Sequence, residues 1–374
     1  MRLTGHQLGV VLDVEMICAQ ETDSRVLRQR VTARLARVLQ WDAACFSTID
    51  PSTMLITDHV SEGIPSHVYA LAAYNEYLVH DVNKFTTLAR SSTGVAILGH
   101  LAEEQQEASP RLRTILPILD ARHEVRAVCV VDGQCWGGLA LFRTGDRPDF
   151  SLEEAALLQA ICPLLAAGLR RTAYRAQVRT GTLADVGPGV LVLNKDNETQ
   201  LANEAAQQYL DELAPAAGRG GGLPYAVHQV AARARVSLPH SRVSPSAQGR
   251  LVDAYSRVQA RSGRWLALHG SPVGDGQDRD KGVAVVVEPA PSSDIAELLM
   301  LVHGLTNRER QVLQRVIAGG SSTAISAQLH ISVHTVQDHL KSIFAKVGVR
   351  SRGQLVATIL EQGLSDQAAT SQRP

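Results

Sequence analysis

At 374 residues, 45% of them hydrophobic, with 37 Lys and Arg against 37 Asp and Glu, the chain is long enough for two to three globular domains and has no global basic footprint. An aromatic content of 4% argues against a platform that stacks single-stranded bases. Cys18, Cys45, Cys129, Cys135 and Cys162 are scattered, with no C-x-x-C pair, so neither a zinc site nor a disulfide framework is expected. No P-loop or metalloprotease motif occurs, no signal peptide opens the chain, and no apolar run reads as a membrane span; a cytoplasmic protein is the expectation.

In chain order, Ser24–Gln40 has helical periodicity, with Val26, Leu27, Val31, Leu35 and Leu39 recurring between arginines. Ala43–Ile49 and Met54–Val60 read as strands joined at Asp50-Pro51-Ser52. Residues Ile64–Pro117 read as helix and loop, broken at Ser91–Gly94 and Pro110. Glu124–Val131 and Cys135–Phe142 form a hairpin around Asp132-Gly133, and Ser151 caps a following helix. That helix carries a broad apolar face, Leu157, Leu158, Ile161, Leu164, Leu165 and Leu169, with Pro163 inside it. So wide a face predicts a seam between subunits, the alternative being that the helix only covers its own sheet. The order of elements, with Trp136-Gly137, Leu139, Leu141, Arg143 and Phe150-Ser151-x-x-Glu154, resembles a GAF domain over residues 1–175. The resemblance implies a small-molecule pocket under Ile64–Leu119, the alternative being a packed domain that serves dimerisation. No cofactor is evident. A thiol oxidoreductase housed here is the enzymatic alternative, but Cys45, Cys129 and Cys135 fall on strands, where the thiol is ordinarily a small buried hydrophobe.

Over residues 180–290, strand Val190–Leu193, a turn at Asn194–Asn197 and strand Thr199–Leu201 come first. A helix capped by Asn203 follows, then a loop at Gly218–Gly222 and a helix over Tyr225–Val236. Leu251–Gln259, Trp265–Gly270 and Val283–Glu288 are strands, the second and third joined through a polar loop in Gly270–Lys281. Gly189–Leu193 with Asn203-Glu204-Ala205-Ala206 resembles the opening of a PAS domain. His228, His240 and His269 read as surface or core histidines, not ligands.

Residues 291–303 form a linker helix, and residues 304–364 carry the strongest signal. Thr306-Asn307-Arg308-Glu309 is a capping box, followed by Val312, Leu313, Val316 and Ile317 at helical spacing and a stop at Gly319-Gly320. Ser322 is placed to cap a second helix, His330-Ile331-Ser332 makes a turn, and a third helix runs from Val333 to Val347 and ends at Gly348. Ser351 caps a fourth helix, and the tail 365–374 reads as disordered. With Val336, Leu340, Ile343 and Phe344 turned inward, the third helix presents Thr335, Gln337, Asp338, Lys341, Ser342 and Lys346, a set suited to base edges and phosphates. Ser332, His339, Arg350 and Arg352 join that candidate set.

Leu305-Thr306, Arg308-Glu309, Gly319, Ile331-Ser332, Thr335-Val336, Lys346, Gly348-Val349 and Ser351-Arg352 together strongly resemble the DNA-binding domain of LuxR-type (NarL/FixJ-type) transcriptional regulators. The resemblance implies a bacterial homodimer on double-stranded DNA, with the third helix in the major groove, RNA polymerase as a further partner and no enzymatic activity. Many members have Lys where Gln337 stands and an acidic residue where Ala324 stands. Gln reads adenine bidentately, and Asp338 either accepts from a cytosine amino group or simply faces solvent and repels phosphate; a target sequence different from that of those members is expected. No receiver-type acidic pair follows the first strand, and Trp41-Asp42 alone does not reproduce the acyl-homoserine-lactone pocket. The expected architecture is multidomain α+β: GAF-like and PAS-like sensor domains, then an all-α four-helix helix-turn-helix domain.

Overall fold

A computed structural model describes residues 3–176, 186–213, 222–236, 254–273 and 282–364. These form two compact units, one ending at Pro289 and one beginning at Ala290. The expected tail 365–374, His240 and most of the loops read at Gly218–Gly222 and Gly270–Lys281 lie outside the described residues.

The first unit opens with α1 (Gly5–Gln20) and α2 (Ser24–Leu39). No expected element corresponds to α1. Thr4 caps it, accepting from the Gln7 amide while the Gln7 side chain accepts from the Thr4 amide. Its apolar residues lie on two sides. Val10, Val14 and Ile17 are buried, whereas Leu8, Leu12 and Met16 are 51%, 63% and 52% exposed.

Five strands follow: β1 (Ala43–Ile49), β2 (Ile56–Glu62), β3 (Val95–Ile97), β4 (His123–Val131) and β5 (Gln134–Arg143). They pair antiparallel in the order β2-β1-β5-β4-β3. β3 corrects the reading of residues 64–117 as helix and loop alone: Gly94, at φ +64°, turns the chain so that Val95–Ile97 pairs with Val125–Ala127. Asp132 and Gly133 both take positive φ, as a two-residue hairpin turn of type I′ requires. Between β2 and β4 the chain forms α3 (Val68–Leu78), α4 (Phe85–Leu88), α5 (Glu103–Ala108) and α6 (Pro110–Thr114). After β5 comes α7 (Leu152–Ala176). A Cβ on Gly137 would sit 2.6 Å from the Leu169 side chain, and one on Gly138 would sit 2.8 Å from Phe85. Neighbouring strand residues point to opposite faces, so this glycine pair lets α7 and α4 close on the two sides of the sheet.

α7 is long and apolar enough to cross a membrane by length and composition, which corrects the expectation that no run qualifies. Its Leu157, Leu158, Ile161, Leu165 and Leu169 are instead buried, with the helix packed on β4, β5 and α1. The face expected to form a seam between subunits is therefore already covered within one chain. Only Leu164 of the expected set stays half-buried.

The second half of this unit contains β6 (Gly189–Leu193), β7 (Thr199–Ala202), α8 (Glu204–Leu213), α9 (Tyr225–Val236), β8 (Tyr255–Gln259), β9 (Trp265–Val273) and β10 (Gly282–Pro289). Its sheet runs β7-β6-β10-β9-β8, antiparallel throughout. Asn203 caps α8 as read, accepting from the Ala206 amide. α9 packs on β9 and β10 and also on α3 and β2, and the core around it takes in Leu55, Ala73 and Tyr77 from the first half. The two sheets are pinned by an ion pair. Asp50, in the β1–β2 turn, accepts from the Arg257 guanidinium at 2.8 and 3.0 Å and from the Arg257 amide at 3.1 Å; both side chains are 2% exposed.

The second unit is helical: α10 (Ser292–Val302), α11 (Asn307–Ile317), α12 (Ser322–Leu329), α13 (Val333–Val347) and α14 (Arg352–Leu364). Val312, Leu313, Val316, Ile325, Val336, Ile343, Leu355 and Ile359 are buried, and α10 packs on α14. Phe344 is half-buried, not fully inward as expected. The cap of α12 is Ser321, whose hydroxyl accepts from the Ala324 amide, one residue before the expected Ser322.

Candidate DNA-binding surface

The entry to α13 is built from short-range bonds. His330 takes φ +54° to end α12, and the Ile331 amide returns to the Ser326 carbonyl. Ser332 then caps α13, its hydroxyl accepting from the Thr335 amide at 3.0 Å and lying 2.9 Å from the Thr335 hydroxyl. At the far end Gly348, at φ +77°, closes the helix by donating to the Phe344 carbonyl.

One side of α13 faces away from the helical core. His334, Gln337, Asp338 and Lys341 are exposed and follow i, i+3, i+4 and i+7 spacing, which places them in one stripe. Within it Asp338 lies 3.7 Å from His334 Nε2 and 3.6 Å from Lys341 Nζ. Thr335 and His339 flank the stripe half-buried, Ser332 is exposed at the helix start, and Arg350 is exposed just before α14. His334 was missed in the sequence, although it stands one turn before Gln337 and Asp338.

Ser342, Lys346 and Arg352 are otherwise engaged. The Ser342 hydroxyl donates to Glu309 at 2.6 Å and the Lys346 ammonium at 2.7 Å, and Lys346 also reaches the Gly304 carbonyl at 3.1 Å. Glu309 is also the acidic partner of the α11 capping box, accepting from the Thr306 amide at 2.7 Å. A single buried carboxylate thus closes the cap of α11 and clamps α13 onto it. Burial by itself would raise the Glu309 carboxyl; the Lys346, Ser342 and Thr306 bonds outweigh it and hold the group at about 2. The Arg352 guanidinium donates to the Gly320 carbonyl, tying α14 to the α11–α12 turn, and Arg308 donates to the Leu329 carbonyl at 2.6 Å.

Residues 303–359, which cover α11 to α13 and most of α14, match the family described as bacterial regulatory proteins, luxR family. The spore germination protein GerE of Bacillus subtilis is 36% identical over 59 residues, spanning 80% of its length and 16% of this chain. The chain belongs to the luxR family. A probable transcriptional regulatory protein NarL of Mycobacterium tuberculosis is 40% identical over 62 residues, which span 17% of this chain and 29% of that protein. The monoamine regulon transcriptional regulator of Klebsiella aerogenes is 31% identical over 120 residues, 32% of this chain and 53% of that protein. Against these two larger luxR-family relatives, then, the chain spans about a third to a half of their length.

Proposed function

We propose that this luxR-family chain is a sequence-specific regulator of transcription that lays α13 in the major groove of double-stranded DNA. The observation carrying the proposal is the exposed stripe of α13, whose amide, carboxylate and ammonium groups project from a helix fixed at its first turn by Ser332 and at its last by Lys346. In this reading Gln337 contacts an adenine edge, Asp338 accepts from a cytosine amino group and orients Lys341, and Lys341, His334, Thr335, Ser332, His339 and Arg350 meet the backbone or flanking edges. Ser342, Lys346 and Arg352 act by holding the helices and not by touching DNA. The protein is a regulator and not an enzyme. Thiolate chemistry at Cys18 and Cys135 is disfavoured: burial pushes Cys18 up to about 11 and Cys135 up to about 12, so both stay protonated at neutral pH.

Binding of the full chain to a randomised duplex library tests the reading. Selected sites should share a short consensus. Gln337→Ala should relax preference at one position by about 1–3 kcal/mol. Lys341→Ala should weaken all sequences alike and lower the salt slope by about one. No consensus, or two variants indistinguishable from the parent, would overturn the assignment.

The first half of the chain, residues 1–175, is proposed as a GAF-like sensor and residues 180–290 as a PAS-like one. The support is the element order of each sheet and the helices inserted between β2 and β4. Two copies would read related half-sites, acting in the cytoplasm alongside RNA polymerase. With the α7 face covered, the dimer seam of this proposal moves to the outward stripe of α1, Leu8, Leu12 and Met16. Leu12→Glu should then turn a dimer into a monomer in sedimentation and weaken DNA binding; a dimer that survives it excludes α1 as the seam.

A further inference from the structure

Of the eight residues of α12, only Ile325 is buried. So short a helix with a single buried anchor is not fixed by packing alone. Guanidinium groups tie it at both ends. Arg352 of α14 donates to the Gly320 carbonyl, in the turn that enters α12. Arg308 of α11 donates to the carbonyl of Leu329, the last residue of α12, at 2.6 Å. Another donor of the Arg308 fork meets Gln311 Oε1 at 2.8 Å, one turn further along α11. A cation on the final carbonyl of a helix also suits the negative end of its dipole.

The link from α12 to α13 is short. His330, Ile331 and Ser332 alone join them, and each is committed. His330 takes a left-handed φ, the Ile331 amide returns to the Ser326 carbonyl, and Ser332 caps α13. A tilt at the end of α12 therefore passes to the first turn of α13, where Ser332, His334 and Thr335 stand. The next residue of α11 acts on the other half of the same helix, since Glu309 accepts from Ser342 and Lys346. Neighbouring side chains of α11 thus govern both halves of α13, Glu309 by direct bonds and Arg308 through the end of α12.

We propose that Arg308 is a positioning residue for DNA recognition: through the Leu329 carbonyl it sets the angle at which α13 enters the groove, with Gln311 holding its guanidinium in place. The inference rests on the DNA reading above and adds to it a cation that does not neutralise a phosphate.

The test is binding of the folded full chain to its selected duplex across a salt series. Arg308→Met should lower affinity about tenfold and leave the salt slope unchanged, whereas Lys341→Ala lowers the slope by about one. Arg308→Lys keeps the charge and loses the planar fork, so it should stay at least about threefold weaker than the parent. A double-mutant cycle separates positioning from mere stabilisation. In the Arg308→Met background the penalty of Gln337→Ala should shrink at least about threefold, because a misdirected α13 no longer seats that amide on its base. An arginine that only stabilised the fold would lower the melting temperature and leave that penalty intact. If Arg308→Met does not fold, Gln311→Leu carries the test; it keeps the charge, loosens the fork and should weaken binding with the slope intact. Parent-like affinity in the folded variants overturns the proposal, as does full additivity with Gln337→Ala. A slope lowered as in Lys341→Ala overturns it too, by making Arg308 a phosphate contact. If Gln337→Ala and Lys341→Ala themselves bind like the parent, the DNA reading fails and takes the inference with it. If those two lose binding while the Arg308 variants do not, only the inference fails.

Discussion

Asp50→Ala is expected to destabilise the first unit by about 3–5 kcal/mol, because it removes the buried carboxylate to which the Arg257 guanidinium and amide donate. The pair is almost wholly withdrawn from solvent, and desolvation opposes it. Burial alone would raise the Asp50 carboxyl; the Arg257 charge and its hydrogen bonds win, together with the Ser52 amide at 2.9 Å, and hold it below the usual carboxylate range. The net worth of such a pair against apolar residues is small, and its loss on one side only is large. The double variant Asp50→Leu/Arg257→Met should therefore recover much of what Asp50→Ala loses. Urea denaturation of the full chain reads both numbers. A loss below about 1 kcal/mol for Asp50→Ala would mean that water or neighbouring groups satisfy Arg257, and that the contact does not fix the two sheets to each other.

The ion pair also marks where sequence reading stops. Asp50 was legible as a turn residue, and here it does cap its own turn through Ser52. Nothing near position 50 announces a partner 207 residues later. Such pairings depend on how sheets stack, which neither periodicity nor turn chemistry encodes. The same limit hid the role of α7. Its apolar face was visible, but whether a second chain or its own sheet covers that face depends on Gly137, whose missing Cβ admits Leu169. α1 escaped for the opposite reason. The Thr4–Gln7 capping box was present, but the apolar residues occupy two opposite sides, so no single stripe stood out. The second unit was the most legible part because its determinants are local: Thr306 with Glu309, Ser332 with Thr335, and Gly348 at a left-handed position. Even there, the outward set derived from helix geometry was too generous. Ser342 and Lys346 sit on the flank of α13, and tertiary packing turns them onto Glu309.

Glu309→Gln is expected to lower the stability of the second unit by about 3 kcal/mol at neutral pH, from a carboxyl held at about 2 against an ordinary 4.5 and about 1.4 kcal/mol per pH unit. The sign follows from the depressed value. Stabilisation by the charged carboxylate is complete above about 4.5, declines as the pH falls, and is gone near 2. Denaturation of residues 290–374, parent against variant, should show the largest gap at pH 7 and convergence toward pH 2. A gap that does not change with pH would mean that the amide loses packing or hydrogen bonds but no charge interaction. Lys346→Met should reproduce the neutral-pH loss, since it removes the ammonium that holds the carboxylate ionised. The consequence for DNA separates positioning from contact. Glu309 is buried and negatively charged, so it has no direct use for phosphate, yet it anchors α13 through Ser342 and Lys346. Glu309→Gln should therefore weaken binding without altering the salt slope, whereas Lys341→Ala should alter the slope without destabilising the fold. If Lys346→Met shrinks the slope as much as Lys341→Ala does, Lys346 leaves Glu309 on binding and neutralises a phosphate, and the clamp opens on DNA.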